Sequence, residues 1–535
     1  MRSFQGRLAT KGGFPFTKRI RNFVSVTLFV TSINTGIHSR NPSLSVGGYA
    51  EKGIPHLGGA RNIVLRPTPI RSCGHGGISQ SGESTNAGQA HRVCLCRKCW
   101  SGDRVTATRP EATGPAPACG VYDVAVVGLG YVGLPTALAF HAAGGRVLAI
   151  DVSAERLAKV RDGAVDLLQS DHARLKAALC DDTFALVSDP SYASWARAVI
   201  ICVPTPVTAH LVPDLRALET ACGAAVRHAV PGQVIILTST SYVGCTEDLL
   251  AAPLAARGLR AGQDVFVAFS PERIDPGNDR YAHELVPRVV GGSTSQCTSA
   301  AAKVLAHCTS NLHEVSSPGA AELTKLFENT FRAVNIALAN EMAEVGRVLS
   351  LDIMEVIKAA ATKPYGFMPF FPGPGAGGHC IPCDPHYLLW QLREARLQTP
   401  VVAEAMSAIA GRPGRVVGRI REVLSDSGLG LTGASVLVLG VTYKPDVEDL
   451  RESPALEIME SLLAAGAKVE YHDPHAPEVR LGDHVLHSVD PAAAKADLVL
   501  MHTRHRAMEL GWLSEDQLVL DTTYRLSGPI RRVAL

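Results

Sequence analysis

Cys380 sits in Pro372-Gly-Pro-Gly-Ala-Gly-Gly-His-Cys380-Ile-Pro-Cys-Asp384, a loop whose Gly377 and Gly378 let another backbone approach closely. A free cysteine is ordinarily inert and buried; it becomes a nucleophile where cations or free N–H groups favour its thiolate. Lys325 and the N–H groups of the loop could supply that setting. Lys325 and Asn329 are four residues apart and share one helix face, which gives a solvated-looking lysine a partner in chemistry. Cys380 and Cys383 also spell a C-x-x-C, set aside because no thioredoxin-like pattern surrounds it.

A second constellation binds rather than reacts. Asp123 to Val127 is a short β-branched run, followed by Gly128-Leu-Gly130-Tyr131-Val132-Gly133 and a helical stretch, Leu134 to Ala143. Gly128 permits the turn, Gly130 lets backbone N–H groups reach a pyrophosphate, and Gly133 allows close helix packing. The next strand, Val147 to Ile150, ends in Asp151, 21 residues past Gly130. A carboxylate there accepts hydrogen bonds from the adenine ribose and repels a 2′-phosphate, so NAD is expected over NADP.

The elements that must carry these groups read as α/β. Apolar runs at 198–203, 234–237 and 265–269, with helix-compatible sequence between them, predict a parallel sheet whose carboxyl edge presents Pro204-Thr205-Pro206, Thr238-Ser-Thr240 and Ser270-Pro-Glu272-Arg273. Ala320 to Leu351 predicts one long helix, apolar on several sides, fit for a central spine or subunit interface. After Arg412 the strand, helix, strand, acid order returns in Val436 to Gly440, a helix from Ser453, and Ala467 to Asp473, without the full glycine fingerprint. That suits a mononucleotide.

The 535 residues hold 52 Lys plus Arg against 50 Asp plus Glu, and are 46% hydrophobic but 5% aromatic. Such a chain can fill several cores through small residues; collagen-like, coiled-coil and wholly disordered classes are excluded. Charge is uneven, with 16 basic and four acidic residues in 1–118. That stretch is expected to be a basic, disordered extension rather than a nucleic-acid arm. Its most apolar run, Phe23 to Val30, is far shorter than the ~20 residues a bilayer needs, so no membrane span is expected. The 13 cysteines form no secreted disulfide framework, and Cys94, Cys96 and Cys99 lack a regularly spaced fourth ligand. No metal, nucleic acid or membrane is expected as a partner.

Ordered along the chain, Gly128-Leu-Gly-Tyr-Val-Gly-Leu-Pro135, Val203-Pro-Thr-Pro206, Ser270-Pro-Glu-Arg-Ile-Asp-Pro-Gly-Asn278, Glu322-Leu-Thr-Lys-Leu-Phe-Glu-Asn329, the Cys380 loop and Lys444-Pro-Asp-Val-Glu-Asp-Leu-Arg451-Glu-Ser-Pro454 resemble the UDP-glucose/GDP-mannose dehydrogenase family from about Tyr122 onward. The resemblance implies a cytoplasmic NAD-dependent nucleotide-sugar 6-dehydrogenase. Its implied organisation is a Rossmann-like NAD domain (119–315), a central long-helix dimerisation domain with the Cys loop (316–412) and a Rossmann-like UDP-sugar domain (413–535), paired as a homodimer through the 320–351 helix. It further implies that Cys380 is the nucleophile, that Lys325 and Asn329 stabilise the oxyanion, and that Asp384 orients or activates water. Thr240 and Glu272 match the active-site water network and an essential carboxylate. Pro204, Thr205, Thr240 and Arg451 join the glycine loop around NAD, while Glu272, Arg273, Lys325, Asn329, Gly377 and Lys444 face the UDP-sugar. One departure is Pro276, where some UDP-glucose enzymes carry a second glutamate.

The implied chemistry needs these groups, since oxidising a primary alcohol to an acid removes two hydrides and the aldehyde must be held between them. A thiolate holds it as a thiohemiacetal, which is oxidised to a thioester and then hydrolysed. The loops resemble the branch acting on UDP-N-acetylglucosamine or its manno epimer, feeding surface polysaccharide synthesis, with UDP-glucose the alternative. A hydroxyacid dehydrogenase and a silent NAD or sugar-nucleotide binder remain as competing readings. Reduced cofactor per substrate separates them: two, one or none.

Overall fold

The computed structural model describes residues 120–535 apart from 166, 168, 274–284 and 529. The extension at 1–118, with its apolar run and cysteine cluster, lies outside the described residues, as does Ile274 to Asn278 with Pro276.

The first sheet holds β1 (Tyr122–Val127), β2 (Val147–Ile150), β3 (Phe184–Val187), β4 (Ala196–Ile201), β5 (Val234–Leu237), β6 (Phe266–Phe269), β7 (Arg288–Gly292) and β8 (Leu312–Val315), in the order β3-β2-β1-β4-β5-β6-β7-β8. Its inner strands are continuous apolar runs because both faces are covered. Val124 and Val126 pack with Leu134 and Leu138 on one side, Ala125 and Val127 with Leu218 and Leu250 on the other. The expectation of a wholly parallel sheet needs correction at β7, which pairs antiparallel with β6 through Ala268 and Gly292. That strand escaped the sequence reading because Arg288 and two glycines break its apolar run. Those glycines are steric necessities: a Cβ at Gly291 would lie 2.1 Å from the Ser317 carbonyl oxygen.

The long helix runs Pro318–Val348, capped by Ser317, whose side chain accepts from the Ala320 N–H. It begins two residues before the expected start because Pro318 fits the first helical position. Burial all round is not what the chain shows. Ala321, Leu326, Ala333 and Ala337 are buried, whereas Leu323, Phe327, Phe331, Leu338 and Met342 form an exposed apolar stripe, with Phe327 67% exposed.

The second sheet contains β9 (Ser435–Leu439) and β10 (Lys468–His472); then come the β11 (Glu478–Leu481) and β12 (His484–His487) hairpin, followed by β13 (Leu498–Met501), β14 (Leu518–Asp521) and β15 (Arg531–Ala534). Its order is β10-β9-β13-β14-β15, parallel throughout, so a switch point lies beside β9. No described helix is long and apolar enough to cross a membrane.

Candidate active site

At the end of β1 the Gly128 N–H donates to Ile150 O at 2.8 Å. Gly128 has φ +89°, and a Cβ there would meet Cys202 O at 2.6 Å, so only glycine turns the chain between β1 and β4. A Cβ on Gly133 would lie 1.8 Å from Gly128 O, whereas Gly130 has nothing within 4 Å. Gly133 thus serves packing, and Gly130 opens onto free space. The helix Gly133–Ala142 starts with no side-chain cap and no acidic residue in its first turn, leaving its N–H groups and positive dipole end for an anion.

Asp151, half-buried, accepts from Leu129 N at 2.8 Å and Ser153 N at 2.9 Å. Two backbone donors fix the carboxylate while its remaining lone pairs stay available to a ribose. The described loop therefore fits a dinucleotide: open N–H groups for the pyrophosphate and an anchored acid for the ribose. Pro204 and Thr205 follow β4, where Ser239 Oγ donates to Val203 O at 2.8 Å and Tyr387 Oη donates to Thr205 O at 3.2 Å. Neither Ser239 nor Tyr387 was singled out from sequence, although Ser239 lay beside Thr240 in the polar run after β5.

The reactive groups converge from two elements. On the Pro318–Val348 helix, Lys325 Nζ donates to Glu272 O at 2.8 Å, and Asn329 Nδ2 donates to Asp384 Oδ2 at 2.5 Å. Asp384 opens the helix Asp384–Glu394, and its N–H donates to Cys380 O at 2.8 Å, so one tight turn delivers thiol and carboxylate together. Asp384 is buried, which pushes its carboxyl up to about 6 against the pull of Lys325, Asn329 and Arg332. Cys380 is pushed up to about 11 by burial and then by Asp384, with Lys325, Arg332 and Arg451 opposing. At neutral pH the resting group is a thiol, beside cations that favour its ionisation. Arg332 was missed from sequence; the signal was there, since it lies seven residues after Lys325 and three after Asn329 on one helix face.

Other expected residues are placed differently. The Glu272 carboxylate, buried just past the end of β6, pairs with Arg288 at the start of β7, Nη2 to Oε2 at 2.5 Å, and Arg273 pairs with Glu328 and donates to Pro287 O. Thr240 is half-buried after β5. Gly377 and Gly378 press the Cys loop against the loop after β9: a Cβ on Gly377 would meet Tyr443 Cβ and Glu452 O, both at 2.6 Å, and Gly378 N donates to Arg451 O at 3.1 Å. Arg451, held by Asp449 at 2.6 Å, lies 4.3 Å over the Tyr131 ring. Lys444, half-buried on the same loop, has its carbonyl bonded by Thr442 Oγ1. One loop of the C-terminal domain thus touches both the glycine loop and the Cys loop.

A dinucleotide cradle, a mononucleotide-type second domain and a thiol set beside an ammonium between them define an NAD-dependent oxidoreductase. The chain matches the UDP-glucose/GDP-mannose dehydrogenase family in its NAD binding domain (residues 122–309), central domain (319–408) and UDP binding domain (437–527). It is 35% identical over 354 residues to the UDP-N-acetyl-D-glucosamine 6-dehydrogenase of Pseudomonas aeruginosa, covering 66% of this chain and 82% of that one. The structure of UDP-D-ManNAc dehydrogenase from Pyrococcus horikoshii superposes with TM-score 0.70 at 29% identity, over 77% of this chain and 98% of the other. A UDP-glucose dehydrogenase from Pyrobaculum islandicum gives TM-score 0.69 at 26% identity, over 79% and 98%. The chain belongs to the UDP-glucose/GDP-mannose dehydrogenase family, an NAD-dependent nucleotide-sugar dehydrogenase.

Proposed function

We propose that the chain carries a UDP-N-acetylhexosamine, N-acetylglucosamine or its manno epimer, from C6 alcohol to uronate through a covalent adduct on Cys380. The observation that carries this reading is the packing of Cys380, Lys325, Asn329 and Asp384 into one cluster, on the two elements that join the NAD and UDP domains. NAD, when bound, accepts a hydride in each of two rounds; Gly130, the open helix start and Asp151 would hold it.

Cys380, once ionised, adds to the aldehyde carbon and keeps it from escaping as a thiohemiacetal. Lys325 offers positive charge, and Asn329 a side-chain N–H, to the oxygen that gains charge in each step. The second oxidation leaves a thioester on Cys380. Asp384, with its carboxyl near 6, is charged at neutral pH and basic enough to take a proton from the water that releases the acid. Tyr443 and Lys444 lie on the loop that would face the sugar nucleotide, with Arg451, over the Tyr131 ring, on its cofactor side.

The names of relatives favour an N-acetylated sugar, although the fold alone does not, since a UDP-glucose enzyme superposes almost as well as a UDP-D-ManNAc enzyme. An acetamido pocket leaves a polar partner unpaired when a hydroxyl replaces the group, a loss of roughly 1–3 kcal/mol. The exposed stripe of Leu323, Phe327, Phe331, Leu338 and Met342 supports a homodimer through the long helix. A cytoplasmic role in surface polysaccharide precursor synthesis follows from the same reading.

The test is cofactor stoichiometry across UDP-N-acetylglucosamine, UDP-N-acetylmannosamine and UDP-glucose. Two NADH per sugar are expected, highest kcat/KM on an N-acetylated sugar, and loss of acid formation in Cys380→Ser with NAD binding intact. One NADH per sugar, or two from Cys380→Ser, would remove the covalent mechanism.

A further inference from the structure

The helix Asp384–Glu394 carries more than the carboxylate at its start. Tyr387 and Gln391 are four residues apart and share one of its faces. Tyr387, fully buried, donates from Oη to Thr205 O at 3.2 Å, in the loop after β4. Gln391 holds the loop after β5 by both groups of one residue: its Nε2 donates to Val243 O at 2.7 Å, and its Oε1 accepts from Val243 N at 3.0 Å. Beside it, Trp390 meets Tyr242 edge to face at 5.8 Å. The two loops act as one unit, since Val203 N donates to Ser239 Oγ at 2.9 Å and that hydroxyl donates to Val203 O at 2.8 Å. The long helix grips the same unit through Glu322, 1% exposed, which accepts from Gly244 N at 2.6 Å and from Thr246 N and Oγ1 at 2.9 and 2.7 Å.

We infer that Tyr387 and Gln391 are positioning residues for hydride transfer: they fasten the helix that carries Asp384, and through its opening turn Cys380, to the two loops at the carboxyl edge of the NAD domain. This rests on the covalent role proposed above for Cys380. The thiol belongs to the central domain, whereas Pro204, Thr205 and Thr240 belong to the NAD domain, so the distance between adduct and cofactor is set by how the two domains meet. A hydride passes only when the reacting atoms come within about 3–3.5 Å, and a misplacement of about an ångström costs roughly 100-fold. The Asp384 N–H bond to Cys380 O at 2.8 Å ties the thiol's residue to the helix start, and Tyr387 and Gln391 tie the same helix to Thr205 and Val243. Both side chains hold backbone atoms, so they locate the loops themselves. Burial pushes the Tyr387 phenol up, which keeps its hydroxyl a donor at neutral pH.

Tyr387→Phe, Gln391→Leu, Gln391→Glu and the combined Tyr387→Phe/Gln391→Leu variant test this, with thermal melting to verify folding. Single-turnover NADH formation is measured with ordinary and C6-deuterated sugar nucleotide, using whichever of the three UDP-sugars above the parent turns over fastest. KM for sugar nucleotide and NAD, and alkylation of Cys380 by iodoacetamide followed on its peptide, complete the set. The combined variant is expected to lower the single-turnover rate about 100-fold and each of Tyr387→Phe and Gln391→Leu about tenfold, with KM values within about threefold of the parent. The deuterium effect should persist or grow, because the slowed step is the hydride. Cys380 should alkylate within about twofold of the parent rate, since its neighbouring cations are untouched. Gln391→Glu keeps the acceptor for Val243 N and should recover part of the Gln391→Leu loss. If the combined variant does not fold, Tyr387→Phe, which removes one oxygen, decides alone. A parent-like single-turnover rate, a loss without a deuterium effect, or a loss matched by an equal change in Cys380 alkylation would overturn the positioning role. Cys380→Ser reports on the underlying reading: two NADH per sugar there removes the adduct itself, whereas a Cys380→Ser enzyme that forms no acid beside a parent-like Tyr387→Phe removes only the positioning role.

Discussion

Strands β1 and β9 open two domains built on the same plan, and the plan ends at the same residue with different results. Each is followed by a glycine at positive φ, Gly128 at +89° and Gly440 at +75°, where a Cβ would strike Cys202 O at 2.6 Å or Thr503 O at 2.0 Å. After the next strand each domain places an aspartate that accepts from the loop after the glycine. Asp151 takes Leu129 N, and Asp473 takes Val441 N and Thr442 N. There the likeness stops. Asp151 is half-buried and open to a ribose, whereas Asp473 is 2% exposed and closed off by His505 Nε2 at 3.1 Å. Where Gly130 leaves open space in the first loop, the second carries Thr442 and Tyr443, and Tyr443 packs on the Cys loop. Topology supplies the aspartate; exposure decides whether it reads a ligand or holds its own loop.

The largest effects are expected where the two loops are sterically alike. Gly440→Ala and Gly133→Ala each force a methyl to about van der Waals overlap with a backbone oxygen, and Gly440 adds a left-handed φ; a loss of at least about 3 kcal/mol is expected in each. Melting with and without NAD distinguishes them: Gly133→Ala should also lose the NAD-induced shift, while Gly440→Ala, if it folds, should keep it. Unchanged melting in either variant would show that the loop relaxes and that the likeness is superficial.

The two aspartates should then separate. Asp473→Ala strands three backbone N–H groups, of Val441, Thr442 and His475, together with His505, each unsatisfied buried group costing about 1–3 kcal/mol, with KM for NAD unaffected. Burial raises the Asp473 carboxyl, but the His505 hydrogen bond and Val441 N–H outweigh it and leave the pKa lowered. Its stabilisation is therefore present above the ordinary carboxylate range near 3.9 and lost as pH falls through the lower folded value, a loss Asp473→Ala should not show. Asp151→Ser should cost under about 1 kcal/mol of stability and narrow the preference for NAD over NADP by about tenfold or more. Equal use of both cofactors by the parent protein would sink the ribose assignment.

How much of this was legible depended on whether a residue's job is local. The glycine loop, Asp151 and the Lys325–Asn329 spacing could be read because each depends on neighbours a few residues away and on fixed helical or strand periods. The strands read from sequence, β1, β2, β4, β5, β6, β9 and β10, fall within about two residues for the same reason, whereas β3, β7, β8 and β11 to β15 were not read. Arg288 carried no signal, since its partner Glu272 lies across an antiparallel pairing that no local pattern announces. The exposed stripe on the long helix was equally hidden. Leu and Phe on several sides read as burial all round, and only packing against the helix Pro400–Ala410 shows which side is covered.

The pH response of the site extends the contrast to Asp384, a carboxyl raised where Asp473 is lowered. Burial lifts Asp384 to about 6, so its contribution to stability is present below its unfolded value near 3.9 and lost as pH rises through about 6. Activity should move the other way, because water activation needs the carboxylate. Acid release is expected to rise with pH through about 6, and Asp384→Asn should remove that limb while lowering kcat by about 10²–10⁴. A limb that survives in Asp384→Asn belongs to another group.

The smallest structural effect is expected at Gly130, and it is the sharpest probe of the comparison. Its φ is not positive and no atom lies within 4 Å of a Cβ placed there, so Gly130→Ala fits the folded chain as it stands. Restricting the unfolded chain should leave stability unchanged or raise it by about 0.4–1 kcal/mol. Yet the methyl would occupy the space that the pyrophosphate needs beside the helix start, so KM for NAD should rise and the NAD-induced melting shift should shrink. A variant that melts like the parent and binds NAD poorly marks Gly130 as kept for its ligand, unlike Gly128, Gly133 and Gly440, which are kept for the chain. Gly130→Ala with unaltered NAD affinity would mean that the pyrophosphate does not approach this loop, and that the two domains differ less than their aspartates suggest.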